Sequence, residues 1–338
     1  MGGGFGTRLH PLTRDVPKQM LPVVDRPMIE HVVGHLAGHG VTRVVLSLGF
    51  HPEAFADAYP DGTCAGIPLH YVVEPEPLDT AGAVRFAAVE AGLGDGDEAF
   101  LVLNGDVLTD LDMGDVVAHH RAARAEGTLA LTEVDDPSRY GVVPTDRDGR
   151  VLGFVEKPES ATVPTRWINA GTYVLEPTVL ARIPDDRPVS IEREVFPAMA
   201  VEGRLHAVAS EAYWIDTGTP EAYIRAQLDL VDGTRGDLTA VHPEATVHPD
   251  AHIDRSVVMA GAAVGEGARL CDAVVMEGGS VGAGATVDHS VVGPAARVGP
   301  GASLSALPVV GEGLDRSEEG RRDRPTTRTA VALSLIHI

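Results

Sequence analysis

The stretch FLVLNGDVLTD, residues 100–110, joins an apolar run to a turn and decides the class of fold. Phe100 to Leu103 predict a buried strand, and Asn-Gly-Asp is common turn chemistry that ends it. Similar runs occur at 41–48, 69–73 and 128–134, while apolar residues recur at helical spacing at 27–40, 80–91 and 113–125. The alternation through about residue 230 predicts a Rossmann-like α/β fold with a mostly parallel sheet, which binds ligands at the carboxyl ends of its strands.

A different pattern begins after Asp232, where glycine and isolated aliphatic residues replace helical periodicity. The aliphatic residues follow one another in steps of six, six and five, so that three steps cover 17 residues. This beat is typical of a left-handed β-helix of hexapeptide repeats, here with roughly four coils that bury their faces on one another. The positions are Val241, Val247, Ile253, Val258, Val264, Leu270, Val275, Val281, Val287, Val292, Val298 and Leu304.

Composition excludes several classes of partner. The length of 338 residues favours two domains over one. A formal net charge of −22 argues against a nucleic-acid surface, since phosphate backbones are held by clustered Lys and Arg. The absence of a membrane-length apolar run and of a secretory signal pattern predicts no membrane partner. Cys64 and Cys271 form neither a zinc pattern nor a disulfide framework, which predicts a cytoplasmic location.

The string GGGFGTRL, residues 2–9, combines clustered glycines with a cation, and Lys18 follows nearby. Glycine lets backbone N–H groups approach phosphate oxygens, and Arg8 and Lys18 add positive charge. The string matches neither the Walker loop nor the dinucleotide-binding pattern. From the residues alone it is either a phosphate-binding loop or a glycine-rich surface turn.

Two aspartates stand where a divalent cation would bind. Asp106 comes just after the strand that begins at Phe100, and Asp216 lies between an apolar segment and a helix that starts near Pro220. Carboxylate oxygens are the hard ligands that Mg²⁺ prefers. On the residues alone, Asp106 is equally well a turn residue that ends a strand, and Asp216 a helix cap.

The string GGFGTRLHPLTRDVPKQMLPVVDRPMI, residues 3–29, resembles the signature of the sugar-phosphate nucleotidyltransferases. The resemblance implies a loop that wraps the triphosphate of a nucleoside triphosphate, formed by Gly3, Gly4, Gly6 and Thr7. It assigns Arg8 to the departing pyrophosphate and Lys18 to a phosphate. It also implies that Asp106 and Asp216 together hold one Mg²⁺ ion.

Other strings extend the resemblance to the two substrates, a nucleoside triphosphate and a sugar 1-phosphate. EPEPLDTAGAV, residues 74–84, is similar to the family's nucleobase loop, although Asp79 stands where glycine is usual. Implied nucleotide contacts are Glu74, Pro77, Thr80, Ala81, Gly82, Asn104 and Gly105. Implied contacts to the sugar and its phosphate are Gly141, Glu156, Lys157, Asn169 and Gly171.

DPSRYGVV, INAGTYVLEP and SIEREVFPAM most resemble the branch of the family that transfers guanylyl groups from GTP to mannose 1-phosphate. The alternatives are glucose-1-phosphate thymidylyl or uridylyl transfer, and a non-catalytic subunit that senses nucleotide sugars. Ser190, in the last string, predicts a helix N-cap. We expect a homo-oligomer, because β-helix ends and faces commonly supply contacts in this family.

The expected domains are a catalytic domain at 1–232, a β-helix at 237–310, and a disordered or artefactual tail at 311–338. Family members have a short apolar strand before the glycines, whereas Met1 here stands directly before Gly2. We therefore expect the first strand to be missing.

Overall fold

The computed structural model describes residues 6–94, 96–158 and 163–305, and the backbone of strands at 309–310, 315–316 and 334–337. The chain divides into two compact units. The first comprises residues 29–214 and the C-terminal strand. The second comprises the described residues of 5–28 and 215–329. The β-helix at 237–310 lies within the second unit, and the other predicted domain bounds stay predictions.

Helices and strands alternate up to residue 229, as the sequence predicts. The helices are α1 Met28–Ala37, α2 Glu53–Ala58, α3 Asp79–Glu90, α4 Met113–Ala123, α5 Phe196–Val201 and α6 Pro220–Asp229. A π-helical turn, Ile191–Val195, precedes α5 directly. The strands are β1 Pro22–Val23, β2 Arg26–Pro27, β3 Arg43–Leu48, β4 Thr63–Cys64, β5 Ile67–Val73, β6 Phe100–Leu103, β7 Val107–Thr109, β8 Gly127–Glu133, β9 Gly141–Val142, β10 Val155–Glu156, β11 Trp167–Leu175, β12 Leu205–Ser210 and β13 Trp214–Asp216.

The first unit is built on one twisted sheet in the order β12-β8-β11-β6-β27-β3-β5-β4, where β27 is the strand Ser334–His337. β3 with β5 and β8 with β12 pair in parallel, whereas β11 runs antiparallel to β6 and β8. β27 pairs antiparallel with β3 and β6. The buried core lies between this sheet and a layer formed by α3, the π-helical turn and α5. The predicted α/β architecture is confirmed.

Beyond the catalytic region, three parallel sheets stack their strands coil on coil, consistent with the predicted left-handed β-helix. Val247, Val264, Val281 and Val298 lie in register, one coil of 17 residues apart, as the beat predicts. The final step is 18 residues, from Val292 to Val310, because one residue is inserted. The strands are β14 Thr246–Val247, β15 His252–Asp254, β16 Val257–Val258, β17 Ala263–Val264, β18 Arg269–Cys271, β19 Val274–Val275, β20 Ser280–Val281, β21 Thr286–Asp288, β22 Val291–Val292, β23 Arg297–Val298, β24 Ser303–Leu304, β25 Val309–Val310 and β26 Asp315–Arg316.

Two kinds of glycine shape the coils. Gly284 has φ +66° and open space around it, so only its backbone conformation favours glycine. Gly282 lies against the next coil, where an added Cβ would be 2.6 Å from the backbone nitrogen of Pro300. The first glycine relieves a local strain, whereas the second permits the close stacking of two coils.

We expect Gly282→Ala to destabilise the β-helix by about 3 kcal/mol, because the methyl group meets backbone that cannot rotate away. Gly284→Ala is the matched control and costs about 1 kcal/mol, since it introduces only an unfavourable positive φ. Urea unfolding of the full chain, followed by circular dichroism, measures both variants. Equal midpoint shifts would contradict the stacking argument.

Candidate active site

The turn after β6 places Asn104 and Asp106 at the end of a buried central strand. The backbone N–H of Asn104 donates to the carbonyl oxygen of Gly171 at 2.8 Å. Asp106 is 8% exposed. The side-chain oxygen of Asn104 is buried and receives no hydrogen bond within the described residues. The sequence predicted this location, and the structure adds that the turn is tied to β11.

A β-bulge in β11 forms the second part of the site, and the register of β11 against β8 shifts between Asn169 and Tyr173. The Asn169 side chain accepts a hydrogen bond from the N–H of Gly171 at 3.0 Å and donates to the Tyr173 hydroxyl at 2.8 Å. Gly171 has φ +74°, and a Cβ there would lie 2.5 Å from the Asn104 side chain. The bulge therefore requires glycine beside Asn104.

Three carboxylates surround the fully buried Tyr173. Burial is the main reason why the pKa of Tyr173 lies well above its usual value, and the negative charges of Glu192, Glu156 and Asp106 raise it further. These carboxylates come from a π-helical turn, an edge strand and a central strand. The first unit thus gathers acidic side chains at one end of its sheet, where a cation and sugar hydroxyls find oxygen acceptors.

Lys157 and Glu156 form an ion pair at 3.0 Å. The N–H of Lys157 donates to the carbonyl oxygen of Tyr140 at 3.0 Å, and Lys157 has φ +47°. A Cβ at Gly141 would lie 2.5 Å from the Phe154 ring and 3.0 Å from a Glu156 carboxylate oxygen. Gly141 thus leaves room for the strand that carries this pair. A half-exposed pair contributes little to stability, so a phosphate could recruit the lysine at low cost.

The predicted nucleobase segment joins β5 to α3. The carboxylate of Glu74 is buried and accepts hydrogen bonds from the Ser47 hydroxyl at 3.1 Å and from the N–H of Leu78 at 3.3 Å. Pro77 and Asp79 are exposed. These contacts fix the start of the segment and leave its tip on the surface.

The helix start itself is turned inward. The N–H groups of Ala81 and Gly82 donate to the carbonyl oxygen of Val189 at 2.8 and 3.3 Å, and Thr80 is buried. A Cβ at Gly82 would lie 2.9 Å from Leu78, so glycine permits this tight turn. Thr80, Ala81 and Gly82 therefore position the exposed tip by holding the helix on the segment that precedes the π-helical turn.

Asp79 has φ +60°, the left-handed region in which glycine is comfortable, and its carboxylate accepts a hydrogen bond from the N–H of Thr80 at 2.7 Å. Asp79→Gly relieves the strain and loses the hydrogen bond, so we expect a change of less than about 0.5 kcal/mol. Asp79→Ala keeps the strain and loses the bond, and should cost about 2 kcal/mol. Thermal unfolding measures both, and an alanine variant as stable as glycine would contradict this account.

The second unit holds the other predicted residues. Gly6 has φ +56°, and its carbonyl oxygen accepts a hydrogen bond from the Thr13 hydroxyl at 2.8 Å. Thr7 follows in a 3-10 helix, Thr7–Leu9, that carries the exposed Arg8. Gly3 and Gly4 lie outside the described residues. The glycine-rich string is therefore closed on itself at Gly6, before the arginine.

Arg8 and Asp216 converge on Gly218. A Cβ at Gly218 would lie 2.7 Å from the Arg8 guanidinium and 2.9 Å from an Asp216 carboxylate oxygen. Asp216 accepts a hydrogen bond from the N–H of Gly218 at 2.8 Å. The sequence interpretation of Asp216 as a helix cap is wrong, because Thr219 caps α6 by accepting from the N–H of Ala222 at 3.2 Å. Asp216 is left available for another role.

Buried Gln227 of α6 fixes the loop that follows Lys18. Its side chain accepts a hydrogen bond from the N–H of Val24 at 2.6 Å and donates to the carbonyl oxygen of Pro22 at 2.9 Å. Lys18 lies in a 3-10 helix, Lys18–Met20, and is largely buried. The loop is thus held by a side chain about 200 positions downstream, a contact that the local sequence could not reveal.

Asp106 belongs to the first unit and Asp216 to the second, and a shared Mg²⁺ site between them stays a prediction. Within the described residues there is no group of three or more histidine, cysteine or acidic side chains that could hold a metal. Mg²⁺ commonly uses one or two carboxylates together with substrate phosphates and water, so the residues present fit it.

The described residues also bear on cysteine chemistry and membranes. Cys64 and Cys271 are both free thiols. No helix in the described part of the chain is long and apolar enough to cross a membrane. The predicted cap at Ser190 is confirmed, since its hydroxyl accepts from the N–H of Arg193 at 3.3 Å. Glu192 and Tyr173 are additions that sequence reasoning missed, because only the tertiary fold brings them beside the sugar residues.

A fold with these strand ends and a trailing β-helix defines a nucleotidyltransferase. Residues 1–233 match the nucleotidyl transferase family, and residues 236–320 match the GMPPB C-terminal domain. The chain belongs to the nucleotidyl transferase family. Enzymes of this family generally use a divalent metal ion.

Individual relatives narrow the similarity. The chain is 42% identical over 280 residues, 79% of its length, to the mannose-1-phosphate guanylyltransferase of Mycobacterium tuberculosis (strain ATCC 25618 / H37Rv), of which 76% is covered. It is 42% identical over 227 residues, 66% of its length, to the mannose-1-phosphate guanyltransferase of Hypocrea jecorina, of which 60% is covered. The crystal structure of HddC from Yersinia pseudotuberculosis matches with a TM-score of 0.57 and 30% identity, over 67% of this chain and 95% of that one.

Proposed function

We propose that this protein transfers a guanylyl group from GTP to mannose 1-phosphate and releases pyrophosphate. The carrying observation is the cluster of Asp106, Glu156 and Asn169 around Tyr173, at the strand ends where this family binds its substrates. The name of the Mycobacterium relative supports the choice of GTP and mannose 1-phosphate.

The reaction needs no protein nucleophile. A phosphate oxygen of mannose 1-phosphate attacks the α-phosphorus of GTP, the bond to the β-phosphate oxygen breaks, and GDP-mannose and pyrophosphate result. Such transfers depend on positioning and on neutralisation of charge. Mg²⁺, held by Asp106 and Asp216, would neutralise phosphate charge. Arg8 would stabilise the departing pyrophosphate, and Lys18 would contact a substrate phosphate.

On the sugar side, Lys157 would leave Glu156 for the phosphate of mannose 1-phosphate. Glu156 and Asn169 would then accept and donate hydrogen bonds to ring hydroxyls, while Gly171 keeps the bulge open beside Asn104. Glu74, Pro77 and the exposed turn at Asp79 would contact the guanine base. Fixed groups of this kind orient both substrates for in-line attack.

Pyrophosphate release tests the proposal directly. GTP, dTTP, UTP, CTP and ATP are each combined with mannose 1-phosphate and glucose 1-phosphate in the presence of Mg²⁺, and again with chelator. We expect release with GTP and mannose 1-phosphate that stops when the metal is removed. A preference for dTTP or UTP with glucose 1-phosphate would replace this substrate pair, and silence in all pairs would favour a nucleotide-sugar sensor.

We further propose that the protein is a cytoplasmic homo-oligomer. Free cysteines support a reducing compartment, and stacked β-helix faces offer a surface for self-association. Light scattering after size-exclusion chromatography measures the molar mass in solution. A monomeric mass at micromolar concentration would contradict the proposed assembly.

A further inference from the structure

The π-helical turn Ile191–Val195 carries a carboxylate, Glu192, whose two oxygens have different surroundings. Oε2 accepts hydrogen bonds from the Thr80 hydroxyl at 2.6 Å and from the Ser190 hydroxyl at 3.0 Å. Thr80 Oγ1 in turn accepts from the N–H of Ile191 at 2.8 Å, so its own proton points at Glu192. This arrangement fixes the carboxylate firmly through one oxygen.

The other oxygen, Oε1, receives no hydrogen bond from another residue in the described part of the chain. It is not sealed away from solvent, and a small molecule can therefore reach it. Burial is the main reason why the pKa of Glu192 is raised, and the charge of Glu156 contributes in the same direction. A hydrogen-bond donor placed on Oε1 would relieve this unfavourable burial of charge.

The free oxygen lies in the neighbourhood of the predicted sugar residues. The charges of Glu192 and Glu156 both act on the hydroxyl of Tyr173, which accepts a hydrogen bond from Asn169. The strand β10, which carries Glu156, contacts the π-helical turn. Single π-helical turns occur frequently at functional sites, where they re-aim a side chain.

We propose that Glu192 Oε1 accepts a hydrogen bond from a ring hydroxyl of the sugar 1-phosphate, and that Glu192 thereby helps to select the sugar. The inference rests on the proposed function. It assigns Thr80 and Ser190 a supporting role, since their hydroxyls hold Oε2 and so direct Oε1.

Glu192→Gln is the informative change. The amide oxygen can take over the bonds from Thr80 and Ser190, while the amide nitrogen presents a donor where Oε1 presented an acceptor. We expect kcat/KM for mannose 1-phosphate to fall about 30-fold, with KM for GTP changed less than about twofold. Monodeoxy analogues of mannose 1-phosphate identify the hydroxyl: with the analogue that lacks it, wild type and variant should have equal kcat/KM.

Ser190→Ala is the matched control, because it removes one bond to Oε2 and leaves Oε1 in place. Its loss should be smaller and the same for every analogue. An equal loss for every analogue in Glu192→Gln would overturn the proposal, since that pattern indicates a purely structural role. If Glu192→Gln does not fold, Glu192→Asp, which withdraws the carboxylate, must show the same selective loss.

A failure of the proposed function gives a different result. If wild type releases no pyrophosphate with any pair, binding of mannose 1-phosphate is measured by ligand-observed NMR. Weaker binding to Glu192→Gln than to wild type would then support the sugar contact without any turnover. Unchanged binding would overturn it.

Discussion

Asp106→Ala is expected to lower kcat by at least about 1,000-fold, because it removes a carboxylate from the proposed cation site and with it the neutralisation of phosphate charge. The fold should survive. Asp106, Glu156 and Glu192 place like charges around Tyr173, and loss of one charge relieves their repulsion. We therefore expect the melting temperature of the free protein to stay constant or to rise.

Two measurements separate loss of chemistry from loss of structure. Mg²⁺ with GTP should raise the melting temperature of wild type and leave that of Asp106→Ala unchanged, since ligand binding stabilises only a protein that binds. Asp115→Asn, an exposed aspartate in the first turn of α4, is the matched control and should keep wild-type activity. A kcat of Asp106→Ala within tenfold of wild type would remove Asp106 from the metal site.

The sequence predicted most elements of the first unit because their periodicity is strong. The strand at Phe100–Leu103 has the predicted bounds, and α3 begins one residue before the predicted start, at Asp79. The β-helix register is confirmed along its length, since one aliphatic residue per strand must point inward to fill each coil. Only the 18-residue step before Val310 departs from the beat.

Contacts between distant segments were beyond the sequence. Thr80 and Glu192 are 112 positions apart, and each looks like an ordinary helix-start residue by itself. The bulge at Asn169 likewise leaves only an unremarkable Asn-Ala-Gly string, although its glycine is required beside Asn104. Family resemblance named many of these positions but could not give the hydrogen bonds that fix them.

The same distinction applies to Arg8, whose role came from resemblance and whose surroundings come from the structure. Its guanidinium lies beside Gly218, as does the carboxylate of Asp216. A guanidinium offers a planar fork of donors that matches phosphate oxygens, whereas a lysine offers a point charge. Arg8 can therefore hold a leaving pyrophosphate in one orientation, and neighbouring Gly218 leaves room for it.

Arg8→Ala should lower kcat by about 100- to 1,000-fold, the usual effect of removing a donor that stabilises developing charge. Arg8→Lys should recover part of the activity, because it restores charge without the fork. Arg14→Ala, also exposed in the same loop, is the matched control and should stay within about twofold of wild type. Single-turnover kinetics at saturating GTP and mannose 1-phosphate measures the effect on the chemical step, and a lysine variant as slow as the alanine variant would show that geometry outweighs charge. If Arg8→Ala turned over as fast as Arg14→Ala, the pyrophosphate would have to be held by another cation, for which Lys18 is the next candidate.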